Sequence, residues 1–368
     1  MLNVSLSHKI KVASFLATIM VVYRHSLNYL AFFNTYSGEG VNGWVQDGIM
    51  RLTQIAVPYF FVISGFFFFR TNYYLKDNWM GMIKTKFKTL FIPFAIWNVV
   101  GLLTLIATKQ KFHISFHDFF MSEWYGPLWY VRDLMTYMLI IPLYQWLFIS
   151  SANLMRNRLT GVFLSVLFII LIYIWSPVDT MWLSSEGIFF FVLGGILQKR
   201  EDLLEKKIPT FLFVCMILLW VSMSFCHLDF FLFQKVRILC GIVAFWVFLD
   251  YVKCMIIDKF LSYSFIIYVL HFYMIKIMKV GIAKLFYGND IVSMLSFLFL
   301  PLICVLLIIL LAKVMVSILQ KNTATRKPDN ELKKTIKSIT VLIIIVLIYS
   351  CCCEFLLILI EEHPELIE

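Results

Sequence analysis

The sequence predicts an all-α protein, a polytopic bundle of about 10–11 transmembrane helices with its N-terminus on the cytoplasmic side. Three observations predict it. Of 368 residues, 61% are hydrophobic and 15% charged, against roughly 45–50% and about 25% in an average soluble domain. The apolar residues gather in runs of about 20, the length that crosses a bilayer as a helix. Lys and Arg concentrate in alternate connections, as cytoplasmic loops do. With 37 Phe, 17 Tyr and 10 Trp and a mean hydropathy of +0.86, the composition excludes a secreted disulfide scaffold, a disordered chain and a nucleic-acid-binding domain. The formal charge of +10 then reads as topology.

Taken in order, the expected spans are 12–33, 51–69, 90–108, 128–149, 160–176, 184–198, 209–227, 236–252, 260–278, 293–319 and 339–360. The first follows Lys9 and Lys11 and continues to His25 without a small-residue cleavage site, so it reads as a retained span and not a signal peptide. The second contains Pro58 and Ser64-Gly65, residues that permit a kink and close helix approach. The third follows Lys84, Lys86 and Lys88, and the fourth opens on Gly126-Pro127. Short connections suit antiparallel neighbours. Residues 1–320 form a ten-span membrane domain; 321–368 add a basic linker, an eleventh span and a short acidic outer tail. The inner segments hold 22 of the 32 Lys and Arg when the N-terminus is placed inside. Eight Cys, in apolar segments or at their edges, show no metal-ligand spacing, so no metal is expected.

Ionisable groups inside spans are costly and point to function. His25 lies in the outer half of the first span; Trp129, Arg132 and Asp133 occupy the opening turns of the fourth; His271 lies in the outer half of the ninth. Arg51 opens the second span and Glu186 the sixth, again from the outer side. An imidazole at His25 that faces the bundle interior is neutral and can accept a proton, as a general base must. The bland alternatives are an ion pair of Arg132 with Asp133 and a hydrogen-bonded core histidine at 271. On the inner side, Arg70, Lys84, Lys86 and Lys88 suit either the phosphates of a cytosolic cofactor or anionic lipid headgroups. No Walker loop, GxGxxG, HExxH or GxSxG occurs.

These motifs, in this order, resemble acyltransferase family 3, integral-membrane acyltransferases of bacteria that O-acetylate cell-surface polysaccharides. Val21-Val22-Tyr23-Arg24-His25 is similar to the family's first helix and its catalytic histidine. The run from Val57 to Phe66 is similar to an "FFxxSGF" stretch, and Lys84 to Pro93 to a basic approach to the third span. Leu128 to Asp133 is similar to "LWFxRxL", and Ser264 to His271 to "SxxIYLLH". The resemblance covers roughly residues 8–320. One departure is Ser14, which stands eleven positions before His25 where the family carries Arg or Lys; Lys11 is the nearest cation.

The resemblance implies transfer of an acyl group, acetyl above all, from cytosolic acyl-CoA to a hydroxyl of a cell-surface or lipid-linked saccharide, in the cytoplasmic membrane. Lys11, Ser14, Arg70, Lys84, Lys86 and Lys88 are then expected at the donor. His25 serves as base or nucleophile; Arg132, Asp133 and His271 assist it; Trp129, Arg51 and Glu186 meet the acceptor. Acceptor choice is expected in the outer loops 34–48 and 109–125. Membrane lipid, acyl-CoA and the saccharide are the expected partners. A saccharide transporter or flippase, which predicts paired broken helices, and a non-catalytic subunit of a polysaccharide assembly complex are the alternatives.

Overall fold

The computed structural model describes residues 4–71, 76–107, 113–122, 124–152, 184–226, 228, 230–251 and 259–323. The expected spans at 160–176 and 339–360 and the acidic tail lie outside the described residues.

No strand occurs among the described residues. The helices are α1 (Val4–Arg24), α2 (Tyr29–Phe33), α3 (Gly40–Leu52), α4 (Ala56–Phe68), α5 (Lys76–Lys86), α6 (Ile92–Ala107) and α7 (Phe116–Met121). They continue with α8 (Trp129–Ala152), α9 (Ser185–Lys199), α10 (Glu201–Glu205), α11 (Thr210–Phe225), α12 (Phe231–Phe248), α13 (Ser264–Leu285) and α14 (Asp290–Thr323). Six described stretches are long and apolar enough to cross a membrane: Val4–Phe33, Gly40–Phe68, Asp77–Ile106, Phe231–Phe248, Leu261–Leu285 and Asp290–Val314. Helix α14 shows why. It buries Phe297, Cys304 and Ile308 on one side yet leaves Phe299, Leu306 and Leu310 more than half exposed on another. A helix apolar on every side has lipid as its solvent.

Two expected boundaries are corrected. The first span is not one helix: the chain leaves helical geometry after Arg24 and resumes it at Tyr29. The second does not open at Arg51, because α3 already runs from Gly40 and Arg51 stands in its last turn. Residues 40–48, expected within an outer loop, are therefore helical. Asn42 and Gln46 disguised that helix, since polar side chains turned into a buried network break an apolar pattern.

The chain divides into two units, residues 1–17, 54–96 and 115–253 in one and residues 18–53, 97–114 and 254–368 in the other. In the first unit α4 lies against α9 at backbone distance. A Cβ on Gly65 would strike the carbonyl of Phe191, and one on Gly194 the carbonyl of Val62, so only glycine allows this approach. Phe61, Phe68, Tyr137, Phe190 and Phe191 fill the adjoining core. Their rings meet tilted, with Phe61 and Tyr137 centroids 5.4 Å apart and Phe68 and Phe191 5.3 Å apart, which avoids the unfavourable face-to-face sandwich. Polar ties close the edges: Lys9 bonds Asp250 at 2.6 Å and sits over the Trp246 ring, and Arg70 pairs with Glu201. In the exposed first turn of α10, the hydrogen bond from Arg200 holds the Asp202 carboxyl below its usual range.

In the second unit α13 packs on α14 and α2, and α14 on α3. Amides and hydroxyls join these helices. Gln46 donates to the Oδ1 of Asn28 at 2.9 Å and of Asn42 at 2.8 Å. Asn28 donates to the Ser293 carbonyl and the Ser296 hydroxyl, both at 2.9 Å, and Asn42 to Asp290, also at 2.9 Å. All five of Asn28, Asn42, Gln46, Ser293 and Ser296 are buried. Buried polar groups are tolerated when their partners are supplied, and here the network pins the chain where α1 has broken.

Candidate active site

The break after α1 carries the main site. Its last turn tightens through bonds from His25 N to Val22 O (3.1 Å) and Ser26 N to Tyr23 O (3.0 Å), and the Ser26 hydroxyl donates to that same Tyr23 carbonyl at 2.7 Å. Such short-range bonds leave later carbonyls without helical donors. Lys279 of α13 supplies them: its ammonium donates to the carbonyls of His25 at 3.2 Å and Leu27 at 2.9 Å. Arg24, on the helix's final turn, donates to the Met50 carbonyl at 2.9 Å.

The same geometry turns the His25 ring toward α13. Its centroid lies 5.1 Å from that of His271 with 50° between the planes, and 5.4 Å from Phe272 at 89°. His271 is wholly buried. Its Nδ1 lies 2.7 Å from the Tyr268 carbonyl and 3.2 Å from that of Ile267. A carbonyl only accepts, so Nδ1 bears the hydrogen and Nε2 of the neutral ring keeps its lone pair. That Nε2 is buried and meets no hydrogen-bond donor among the described residues. The two histidines expected from sequence are thus brought together, and one of them presents an unused basic nitrogen.

In the other unit, Arg132 and Asp133 form the ion pair. Arg132 places Nε at 2.9 Å and Nη2 at 2.8 Å from Asp133 Oδ1, and its Nη1 donates to the Met121 carbonyl at 3.2 Å. Both residues are buried. Tyr137 donates to the Ser184 carbonyl at 2.8 Å and lies 3.5 Å from Asp133 Oδ2. Asp133 therefore orients Arg132. Glu186, in the first turn of α9, pairs with buried Lys235 of α12. Trp129 opens α8 at 37% exposure, with Phe61 6.4 Å away.

The residues expected at the donor differ among themselves. Arg70 pairs with Glu201 and lies over Phe66, so its charge is already answered. The Ser14 hydroxyl donates back to Ile10 O at 2.8 Å, while Lys11 is exposed. The three-turn register from Ser14 stops short of His25, since α1 ends at Arg24. Lys84 and Lys88 are exposed and Lys86 half-buried, at the end of α5 and in the π-helical segment Phe87–Phe91 that follows. None of these three forms an ion pair with a described residue. Arg51 is half-buried at the C-terminal end of α3. Among the described residues no group of three His, Cys, Asp or Glu is placed to hold a metal ion.

Sequence reasoning passed over Asn28, Gln46, Lys235, Arg237 and Lys279. Arg237 is buried and donates to Gln54 at 2.8 Å. The signal was present in each case: a charged or amide side chain within or beside an apolar run, the rule that singled out the histidines.

The fold is that of a multi-pass membrane protein, and its described residues bring two imidazoles together beside the break after α1. The chain belongs to acyltransferase family 3: the family model described as "acyltransferase domain" matches residues 8–313. No curated protein and no solved structure matches the chain. The protein is an acyltransferase.

Proposed function

We propose that the protein transfers an acyl group, acetyl in the simplest case, from cytosolic acyl-CoA to a hydroxyl of a cell-surface or lipid-linked saccharide in a bacterial cytoplasmic membrane. The observation that carries this reading is the lone-pair nitrogen of His271 beside the ring of His25. Alcohols attack thioesters only as their proton is removed, and a neutral imidazole is the side chain suited to remove it.

In the proposed step His25 accepts the hydroxyl proton while the sugar oxygen bonds to the thioester carbonyl carbon. The C–S bond then breaks, the sulfur takes the proton back from His25, and ester and free CoA thiol leave. His271, whose Nδ1–H is committed to the Tyr268 carbonyl, offers Nε2 as a hydrogen-bond acceptor for protonated His25. Lys84, Lys86 and Lys88, cations with no acidic partner described, suit the donor's phosphates on the expected inner side. Trp129, a half-exposed indole, suits the apolar face of a sugar. A second reading, saccharide transport, draws on one observation, the break in a membrane helix at residues 25–28.

The test is the O-acyl content of surface polysaccharide from cells expressing wild type or His25→Ala at matched protein levels. Loss of O-acyl groups in the variant alone is expected. Equal acylation removes His25 from the chemistry, and polysaccharide missing from the surface with its acylation unchanged favours transport.

A further inference from the structure

Lys279 lies on the buried stripe of α13, in step with Ile267, His271, Ile275 and Ala283 at intervals of four. It is the one cation of that stripe among the described residues. Eight residues along a helix is about 12 Å, so Lys279 does not lie beside His271. Its ammonium instead bonds the carbonyls of His25 and Leu27, the backbone on either side of Ser26. Without a donor these part-buried carbonyls would lack a helical partner, which is costly at membrane depth.

We infer that Lys279 is a positioning residue: by holding the carbonyls of His25 and Leu27 it fixes the broken end of α1 so that the imidazole of His25 lies against that of His271, with centroids 5.1 Å apart. Helix α13 thus carries His271 and, two turns on, the lysine that sets the residue beside it. A rotation at the unanchored break would swing the His25 ring away, while the donor and acceptor sites would be untouched. The inference rests on the proposed role of His25 for its catalytic consequence, though the geometric claim stands without it.

The experiment has two arms. In the full-length protein with its eight cysteines replaced by Ser, His25→Cys and His271→Cys are joined by dibromobimane, a short cross-linker that fluoresces once both thiols react. Adding Lys279→Met is expected to slow cross-linking about fivefold or more, because bridging needs a narrow geometry. Lys279→Arg, which keeps the donors, and Lys276→Met, on the exposed side of the same helix, are expected to match the parent. Lys279→Gln, too short to span both carbonyls, serves the same purpose if the Met variant does not purify. Cross-linking as fast in the Met or Gln variant as in the parent overturns the inference.

In the second arm, with acetyl-CoA as donor and otherwise native protein, Lys279→Met is expected to lower kcat by about 100-fold, the scale of a 1 Å misplacement, with KM for acetyl-CoA unchanged. His25→Ala with Lys279→Met is expected to be no slower than His25→Ala alone. A KM effect without a kcat effect contradicts a positioning role. Cross-linking that depends on Lys279 in a protein that does not use acetyl-CoA upholds the positioning and sinks the acetyl-CoA reading.

Discussion

The rings of His25 and His271 lie with centroids 5.1 Å apart and 50° between their planes, one at the broken end of a helix and the other on a buried helical stripe. His25→Ala is expected to lower the acyl-transfer rate by about 10²–10⁴-fold, the range of a lost general base. His271→Phe keeps a ring in place and removes the lone pair; we expect a smaller loss of rate with an unchanged melting temperature in detergent. An unaltered rate in the Phe variant would assign His271 to packing.

Lys84, Lys86 and Lys88 are the cations of the donor group with no acidic partner described. Changing all three to Ser is expected to raise KM for acyl-CoA by about 100-fold, at roughly 1 kcal/mol for each charge near a phosphate-bearing surface, and to leave kcat alone. Steady-state kinetics in proteoliposomes decides this. An unchanged KM would return these lysines to lipid headgroups.

The pair of Glu186 and Lys235 carries a structural prediction. Removing one partner of a fully buried pair costs about 3–5 kcal/mol, and less is expected here because the Glu186 side chain remains 26% exposed. Lys235→Met should lower the melting temperature, and adding Glu186→Leu should restore part of it. Additive losses would show that the two charges are not coupled.

Where α4 meets α9, Gly65→Ala is expected to destabilise by about 1–3 kcal/mol through overpacking, since the new methyl meets the Phe191 carbonyl, which a rotamer change cannot move. Gly81→Ala, where a methyl meets open space, is the control. Thermal unfolding in one detergent compares them, and equal melting temperatures would contradict the close approach.

Most of the framework was legible because transmembrane helices announce themselves by apolar length, a property local to each segment. His25, Arg132, Asp133 and His271 were legible for a related reason: each is an ionisable group in a run that should contain none. Helix α3 was not. Its polar face is satisfied by Asp290 and Ser293 of α14, so Asn42 and Gln46 look like loop residues until those distant partners are known. The break after Arg24 was hidden in the same way, because Val21 to Phe33 reads as a span whether or not its backbone is helical throughout.

By itself, then, the sequence determined a multi-pass helical protein, its family and two histidines in its interior. Tertiary structure decided who meets whom: that Asn42 answers Asp290, that Glu186 answers Lys235, and that Lys279 reaches back to the carbonyl of His25. Burial makes a charge expensive wherever it falls, so its presence can be read from one segment. Its partner is chosen by the packing of helices far apart in the chain, and no single segment contains that information.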